Sequence, residues 1–449
     1  METLVQYIPR WYSGSWRTYK YDATKTDGGK TDVTPEEKFN RIIEDALCIG
    51  CGLCQSVATP VKIQVAKAKS GELRPRVVAP LSNEDIENIY ATCPGTRIEG
   101  LPPFAIKAAA HHDLVWGPYH RLVLGWASTP KVRHEGSTGG VLTALGQYLL
   151  RSGRVKFILH VKASETEPTF GEATLSFTEA EVFEGAGSRY GPAAPLSDLE
   201  GALTRNEPFA LIAKPCDLNA VRNLAHIDPR VNRLIRYWLT PVCGGYMPDQ
   251  AMNRFLNEQG VKREDVTELR YRGRGCPGPT TIKTKDGDQH DVHYLDVWGE
   301  DESTWSLPFR CKICPDGIGE GADIAAADTW PDACPDREAS LTDPGTNSLI
   351  VRTAPGMELL DAAVRDGALV LGNDVDIAYL NDTQPHQVTK KRFVKARYDG
   401  LQDAGALIPK AVNLRVNELS EANDARKNEE QRQGAFERAS AGKQKETRN

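Results

Sequence analysis

Apolar residues follow two rhythms that alternate along this chain. In EEKFNRIIEDAL, residues 36–47, Phe39, Ile42, Ile43 and Leu47 recur at three- and four-residue steps, which predicts a short helix with one apolar face. The runs VKIQVA and RPRVVAP read as short strands. SNEDIENIYATC reads as a helix capped by Ser82 or Asn83, with its acidic residues in the first turn. Between about residues 120 and 385, apolar runs (RLVLGWAS, VKFILHVKA, PFALIAKPC, VNRLIRYWLTPV, ADIAAADTW, NSLIVRT) take turns with helical stretches such as GGVLTALGQYLLRSG. That alternation predicts an α/β or α+β body built on a central sheet. No fixed-period repeat interrupts it.

The two ends follow neither rhythm. The first 45 residues scatter Tyr7, Trp11, Tyr12, Trp16, Tyr19 and Tyr21 among Gly, Ser, Thr and Lys, and read as an irregular aromatic arm that covers the body or a partner. From Arg415 onward, charges of both signs crowd out large apolar residues. A solvated helix or frayed tail is expected there, the alternative being a segment that orders on a partner. The expected organisation is an arm over 1–45, a ferredoxin-like module over 46–115, a large catalytic domain over 116–390 and a charged extension over 391–449.

With 449 residues, 40% hydrophobic, and a net charge of only −6, the chain has material for ordinary cores and no basic footprint for nucleic acid. No run approaches the ~18–20 consecutive apolar residues needed to span a bilayer, and the N-terminus lacks the greasy stretch of a signal peptide. A soluble cytoplasmic protein with no membrane span is therefore expected. In such a chain ten cysteines point to ligation rather than to a disulfide framework.

CIGCGLC places Cys48, Cys51 and Cys54 in one loop, with Cys93-Pro94 further on. Iron-sulfur clusters need thiolates delivered from a tight loop, and glycines such as Gly50 and Gly52 allow its left-handed turns and bare N–H groups. Zinc sites usually pair two CxxC or CxxH units instead, so a 4Fe-4S cluster is the favoured reading. A second set is more dispersed: Cys216, Cys243, and the CxxC pair Cys311 and Cys314. Its spacing leaves zinc and a second cluster equally open. Cys276 and Cys334 read as packed thiols, with Cys334 a substitute fourth ligand by proximity.

HEGSTGGVLTALGQYLL is a Ser-Thr-Gly-Gly turn opening a helix, which suits either a phosphate or a plain N-cap. Neither GxGxxG after a strand, nor a Walker A loop, nor a GxSxG elbow is present. His111, His112 and His134 are isolated.

Taken in order, CIGCGLC, CPG, STGGVLTAL, GSRYGPA, AKPCDLNAVRNL, PVCGGY, YRGRGCPG, CKICPDGIGEGADIAAADTW and GTNSLIVRT resemble the beta-subunit family of the deazaflavin-coenzyme-reducing hydrogenases and dehydrogenases. The resemblance covers about Cys48 to Glu358. It implies an N-terminal ferredoxin-like iron-sulfur module packed on a larger FAD-binding mixed-sheet domain. Cys48, Cys51, Cys54 and Cys93 would ligate one 4Fe-4S cluster, and Cys216, Cys243, Cys311 and Cys314 a second. Ser137, Thr138, Gly139, Gly140 and Thr143 match the flavin-binding stretch, with Ser188, Arg189 and Tyr190 as further contacts. Lys214, where relatives often carry a small residue, and Cys276, where an aromatic is usual, depart from the pattern and argue for a substrate other than the deazaflavin. Lys214, Asp217 and Tyr190 stand beside family motifs as candidates for the proton donor.

The implied activity is an FAD- and 4Fe-4S-dependent oxidoreductase. It would take electrons from reduced ferredoxin, or a similar one-electron carrier, and reduce a small organic substrate at the flavin. The alternative is an electron-transfer subunit of a larger dehydrogenase, hydrogenase or oxygenase complex, with a partner subunit or a second copy docking on it. A structural zinc protein is the third reading.

Overall fold

The computed structural model describes residues 33–300 and 305–445, so the aromatic arm lies outside the described residues up to position 32. The first described element is the helix Pro35–Glu44, started by a reciprocal cap in which Thr34 Oγ1 accepts from Glu37 N at 3.2 Å and Glu37 Oε2 accepts from Thr34 N at 2.8 Å. It buries Phe39, Ile42 and Ile43. Leu47 lies beyond its end, in the turn toward the first cysteine, yet is fully buried. The strands Ile63–Lys67 and Leu73–Val77 pair as an antiparallel hairpin, and the helix Asn83–Thr92 starts on Ser82.

The body is an eight-stranded mixed sheet. Its order is Leu369–Asp374, Arg121–Ala127, Asn347–Val351, Ile324–Ala327, Ile235–Pro241, Phe209–Ile212, Phe157–Ala163, Gly171–Ser176. The four strands beginning at Ile324, Ile235, Phe209 and Phe157 run parallel to one another, and antiparallel strands flank them on both sides. This explains the unbroken apolar runs, because a parallel strand covered on both faces has no solvent side on which to alternate. The helices Val141–Arg151 and Ala354–Arg365 cover one face, and Leu199–Thr204 and Pro215–Leu224 cover the other. A separate three-stranded sheet, Val266–Arg270, Pro279–Thr284 and Gln289–His293, has its own core with Tyr271, Trp298 and Trp330.

Of the two forms expected for the C-terminal region, a solvated helix or a frayed tail, the structure shows a helix that is mostly exposed and buries only Ala435 and Ala439. The helix Pro385–Asp403 runs straight through the anticipated boundary at 390/391, and the charged helix Ala425–Ser440 lies along it. Close approach depends on small residues. A Cβ on Gly400 would sit 2.0 Å from the Arg432 carbonyl oxygen, and Ala435 and Ala439 are buried with Phe39, Ile42, Tyr90 and Tyr398 in one cluster. Alanine and glycine contribute almost nothing to a hydrophobicity profile, yet they permit backbone-close packing. The two ends of the chain therefore build the cysteine module together. A buried carboxylate ties the C-terminal region to the turn before the strand Ile324–Ala327: Glu320 accepts from Lys391 Nζ and, at 2.7 Å, from Arg415 Nη2.

Candidate functional site

The first cysteine loop follows the turn at Leu47. Gly52 adopts φ +86°, and a Cβ there would lie 2.8 Å from Ser197 N, so only glycine lets the loop lean on the body. The Cys51 carbonyl accepts from Leu196 N at 2.8 Å, fixing that contact. Backbone N–H groups point at sulfur: Gly50 N to Cys48 Sγ at 3.4 Å and Gly95 N to Cys93 Sγ at 3.3 Å. Cys48, Cys51, Cys54 and Cys93 together ring a small enclosed void of about 30 Å³, walled by Phe39, Ile42 and Ile89. Among the described residues no three His, Cys, Asp or Glu side chains stand close enough to chelate a single ion. The thiols surround a space instead.

Cys216 opens the helix Pro215–Leu224, Cys243 follows the strand Ile235–Pro241, and Cys311 and Cys314 flank the end of the helix Phe309–Lys312. These four thiols lie within electrostatic reach of one another. Burial, and then mutual repulsion, pushes Cys93 in the first set and Cys243 in the second up to about 12. Thiols so placed need a strongly cationic partner in order to ionise. Asn223 joins the two regions: its Nδ2 donates to Arg97 O at 2.9 Å and to Thr92 O, beside Cys93, at 3.3 Å. Cys276 is buried in the core of the small sheet, and Cys334 packs at its edge, apart from the second set.

A cavity of about 300 Å³ opens where the parallel strands end, the position at which open α/β sheets bind ligands. Lys214, Cys243 and Asp328 follow three adjacent strands at this edge. The cavity wall takes in Gly50 from the first cysteine loop and Cys243 from the second set, with Ser137, Thr138, Gly140, Thr143, Ser188, Arg189 and Tyr190. Gly139 does not line it, and its N–H is spent on Asn347 Oδ1 at 3.0 Å. Gly140 caps the helix Val141–Arg151 at φ +71°, where a Cβ would meet the Val132 carbonyl at 2.7 Å.

A charged hub welds these segments. Arg272 is 3% exposed and donates to Asp328 Oδ2 at 3.0 Å, Asp328 Oδ1 at 3.1 Å, Tyr190 Oη at 3.1 Å and Ser137 O at 2.9 Å. Thr138 Oγ1 donates to the same Asp328. The Arg272 Nε and Arg189 Nε find no protein partner. Lys214 Nζ and the fully buried Asp217 form an ion pair at 2.6 Å; burial opposes the Lys214 charge, but Asp217 outweighs it and keeps the amine protonated. Tyr190 also meets Trp298 edge-on, with ring centroids 4.9 Å apart.

Sequence reasoning assigned no role to Arg272, Asp328, Asn347 or His160. The first three sat in plain view inside YRGRGCPG, AAADTW and GTNSLIVRT, but only as motif letters. His160 lies on the cavity wall, 6% exposed, with Nε2 2.7 Å from Ser176 Oγ. Burial, reinforced by Lys162, depresses it to about 4. The unfolded chain then binds more protons than the folded one between pH ~6.5 and 4, so stability is full above 6.5 and falls as pH drops through this window. A loss of about 3 kcal/mol is expected across it, read as a falling Tm that His160→Gln flattens.

Residues 122–200 match the family described as Coenzyme F420 hydrogenase/dehydrogenase, beta subunit, over its N-terminal part, and residues 206–376 match the C-terminal part of the same family. The fold and these matches, together more than half of the chain, define an oxidoreductase class. The chain belongs to the coenzyme F420 hydrogenase/dehydrogenase beta-subunit family. It is 26% identical over 278 residues to the F420-dependent formate dehydrogenase 1 subunit beta of Methanococcus maripaludis, covering 58% of this chain and 68% of that protein. It is 25% identical over 236 residues to the F420-dependent formate dehydrogenase subunit beta of Methanocaldococcus jannaschii, covering 50% of this chain and 59% of that protein. A chain from the F420-reducing NiFe hydrogenase complex of Methanosarcina barkeri superposes with a TM-score of 0.52 at 17% identity, over 67% of this chain and 98% of that one, a likeness of fold. No described helix is long and apolar enough to cross a membrane.

Proposed function

We propose that this chain is an iron-sulfur flavoprotein that moves electrons between a one-electron carrier, reduced ferredoxin or similar, and an organic substrate. Two 4Fe-4S clusters would be held by Cys48, Cys51, Cys54, Cys93 and by Cys216, Cys243, Cys311, Cys314. FAD would lie in the cavity, against Ser137, Thr138, Gly140, Thr143, Ser188 and Arg189. The observation that carries the reading is that one cavity borders the Gly-Gly helix start, Cys243 of the second set and the Gly50 loop of the first. Four cysteines lining one void, with backbone N–H groups aimed at sulfur, support a cluster over a single tetrahedral zinc.

The bound flavin would supply two-electron hydride chemistry to one-electron traffic. The chain's own residues divide the remaining work. Arg189 and the buried Arg272 place positive charge at the cavity wall, a setting that suits an anionic or carbonyl group. Lys214, kept charged by Asp217, acts as a fixed cation rather than a proton source. Tyr190, whose oxygen accepts from the Arg272 guanidinium, is the proton donor the geometry favours among the three candidates. The names of the two formate dehydrogenase relatives favour a second reading, in which the chain works as the beta subunit of a larger assembly.

The test is oxygen-free purification followed by assay of flavin, iron and acid-labile sulfide per chain. About eight irons and one FAD are expected. Bound zinc without iron would sink the proposal, and stable co-purification of a catalytic partner would favour the subunit reading.

A further inference from the structure

A buried cation lies between the two cysteine sets, and neither set's spacing announces it. Arg310 precedes Cys311 in the helix Phe309–Lys312 and is 1% exposed. Its Nη2 and Nε donate to the Pro94 carbonyl oxygen at 3.0 and 3.3 Å, and Pro94 directly follows Cys93. One guanidinium thus reaches from the backbone next to a second-set cysteine to the backbone next to a first-set cysteine. Its charge acts on Cys93 on one side and on Cys216, Cys311 and Cys314 on the other.

The other charges nearby are arranged differently. Lys214 and Lys390 act on cysteines of the second set. Asp217 acts on Cys51 and Cys216, but Lys214 neutralises it at 2.6 Å. Lys391, near Cys314, is engaged by Glu320. Arginine stays protonated in proteins, and in a low-dielectric interior its field is weakly screened. Iron-sulfur centres ligated by four thiolates carry net negative charge, so two of them close together oppose each other's reduction, while a cation between them favours the reduced form of both.

We propose that Arg310 is a counter-charge shared by the two clusters, raising both reduction potentials and letting both stay reduced together. This rests on the two-cluster reading above. Its test is potentiometric titration of the intact, anaerobically purified chain, followed by electron paramagnetic resonance, with the two signals assigned by their loss in Cys54→Ala and Cys314→Ala. In Arg310→Gln both signals shift to more negative potential. In Arg310→Lys the charge stays beside Cys311 but retreats from Pro94, so the second-set signal stays near wild type and the first-set signal falls.

A shift confined to the second set in Arg310→Gln, or no shift, overturns the inference. If the glutamine variant fails to load its clusters, the lysine variant decides alone, and an unmoved first-set potential there overturns it. A wild-type chain with no iron-sulfur signals fails the underlying reading itself, before any variant is compared.

Discussion

Cys54→Ala, purified without oxygen, is expected to carry about four irons per chain where the wild type carries about eight, with flavin retained. On the proposed relay, turnover with a one-electron donor falls to background, because the cavity proposed to hold the flavin then receives no electrons from the first set. The structure makes this more than the loss of one ligand. Cys48, Cys54 and Cys93 pack in the cluster formed by Phe39, Ile42, Tyr90, Val394 and Tyr398, which joins the two ends of the chain. Thermal stability should therefore drop along with the iron. The second-set variant Cys314→Ala gives the complementary result: iron again halves, but the module's packing persists and electrons stop short of the cavity. Iron content unchanged in either variant, with activity intact, would remove that set from the relay.

The second large effect concerns the charged hub. Asp328→Ala leaves Arg272 buried with no carboxylate partner, and an uncompensated buried charge of this kind costs about 3 kcal/mol or more. Thr138 loses its acceptor in the same stroke, so the Ser-Thr-Gly-Gly turn loosens and flavin content falls. The double variant Asp328→Ala with Arg272→Met is expected to recover most of the stability, since the orphaned charge is gone, while flavin content stays low. Denaturant unfolding and flavin stoichiometry on the wild type, both single variants and the double variant check both halves. Equal flavin content in all four would show that the hub holds the fold and not the cofactor cavity.

Much of the site was legible because its signals are local. CxxCxxC, a remote Cys-Pro and a Gly-Gly helix start all act within one turn of chain, where spacing is geometry. The predicted strands and the helices over 35–44, 83–92 and 141–151 were equally local, set by periodicity and by caps such as Ser82. The hub and the Arg310 bridge were not legible. Arg272 meets Asp328 across 56 positions and Arg310 meets Pro94 across 216, and nothing in either residue's neighbourhood marks its partner. The helix expected near the C-terminus is present, but its docking on the helix Pro385–Asp403 was not legible, for a different reason. Its interface is made by Gly400, Ala435 and Ala439, residues that pack by being small rather than by being greasy.

The sequence alone thus determined the inventory: which thiols are available, where the glycine turn lies, and that a sheet of buried strands carries them. The strand order decided which of these meet. Crossovers bring the ends of the strands at Phe209, Ile235 and Ile324 to one edge, setting Lys214, Cys243 and Asp328 around a single cavity. Spacing along a chain constrains atoms only over a few residues. Contacts between distant segments depend on which packing buries the most apolar surface with every buried charge paired, and that is a property of the whole fold.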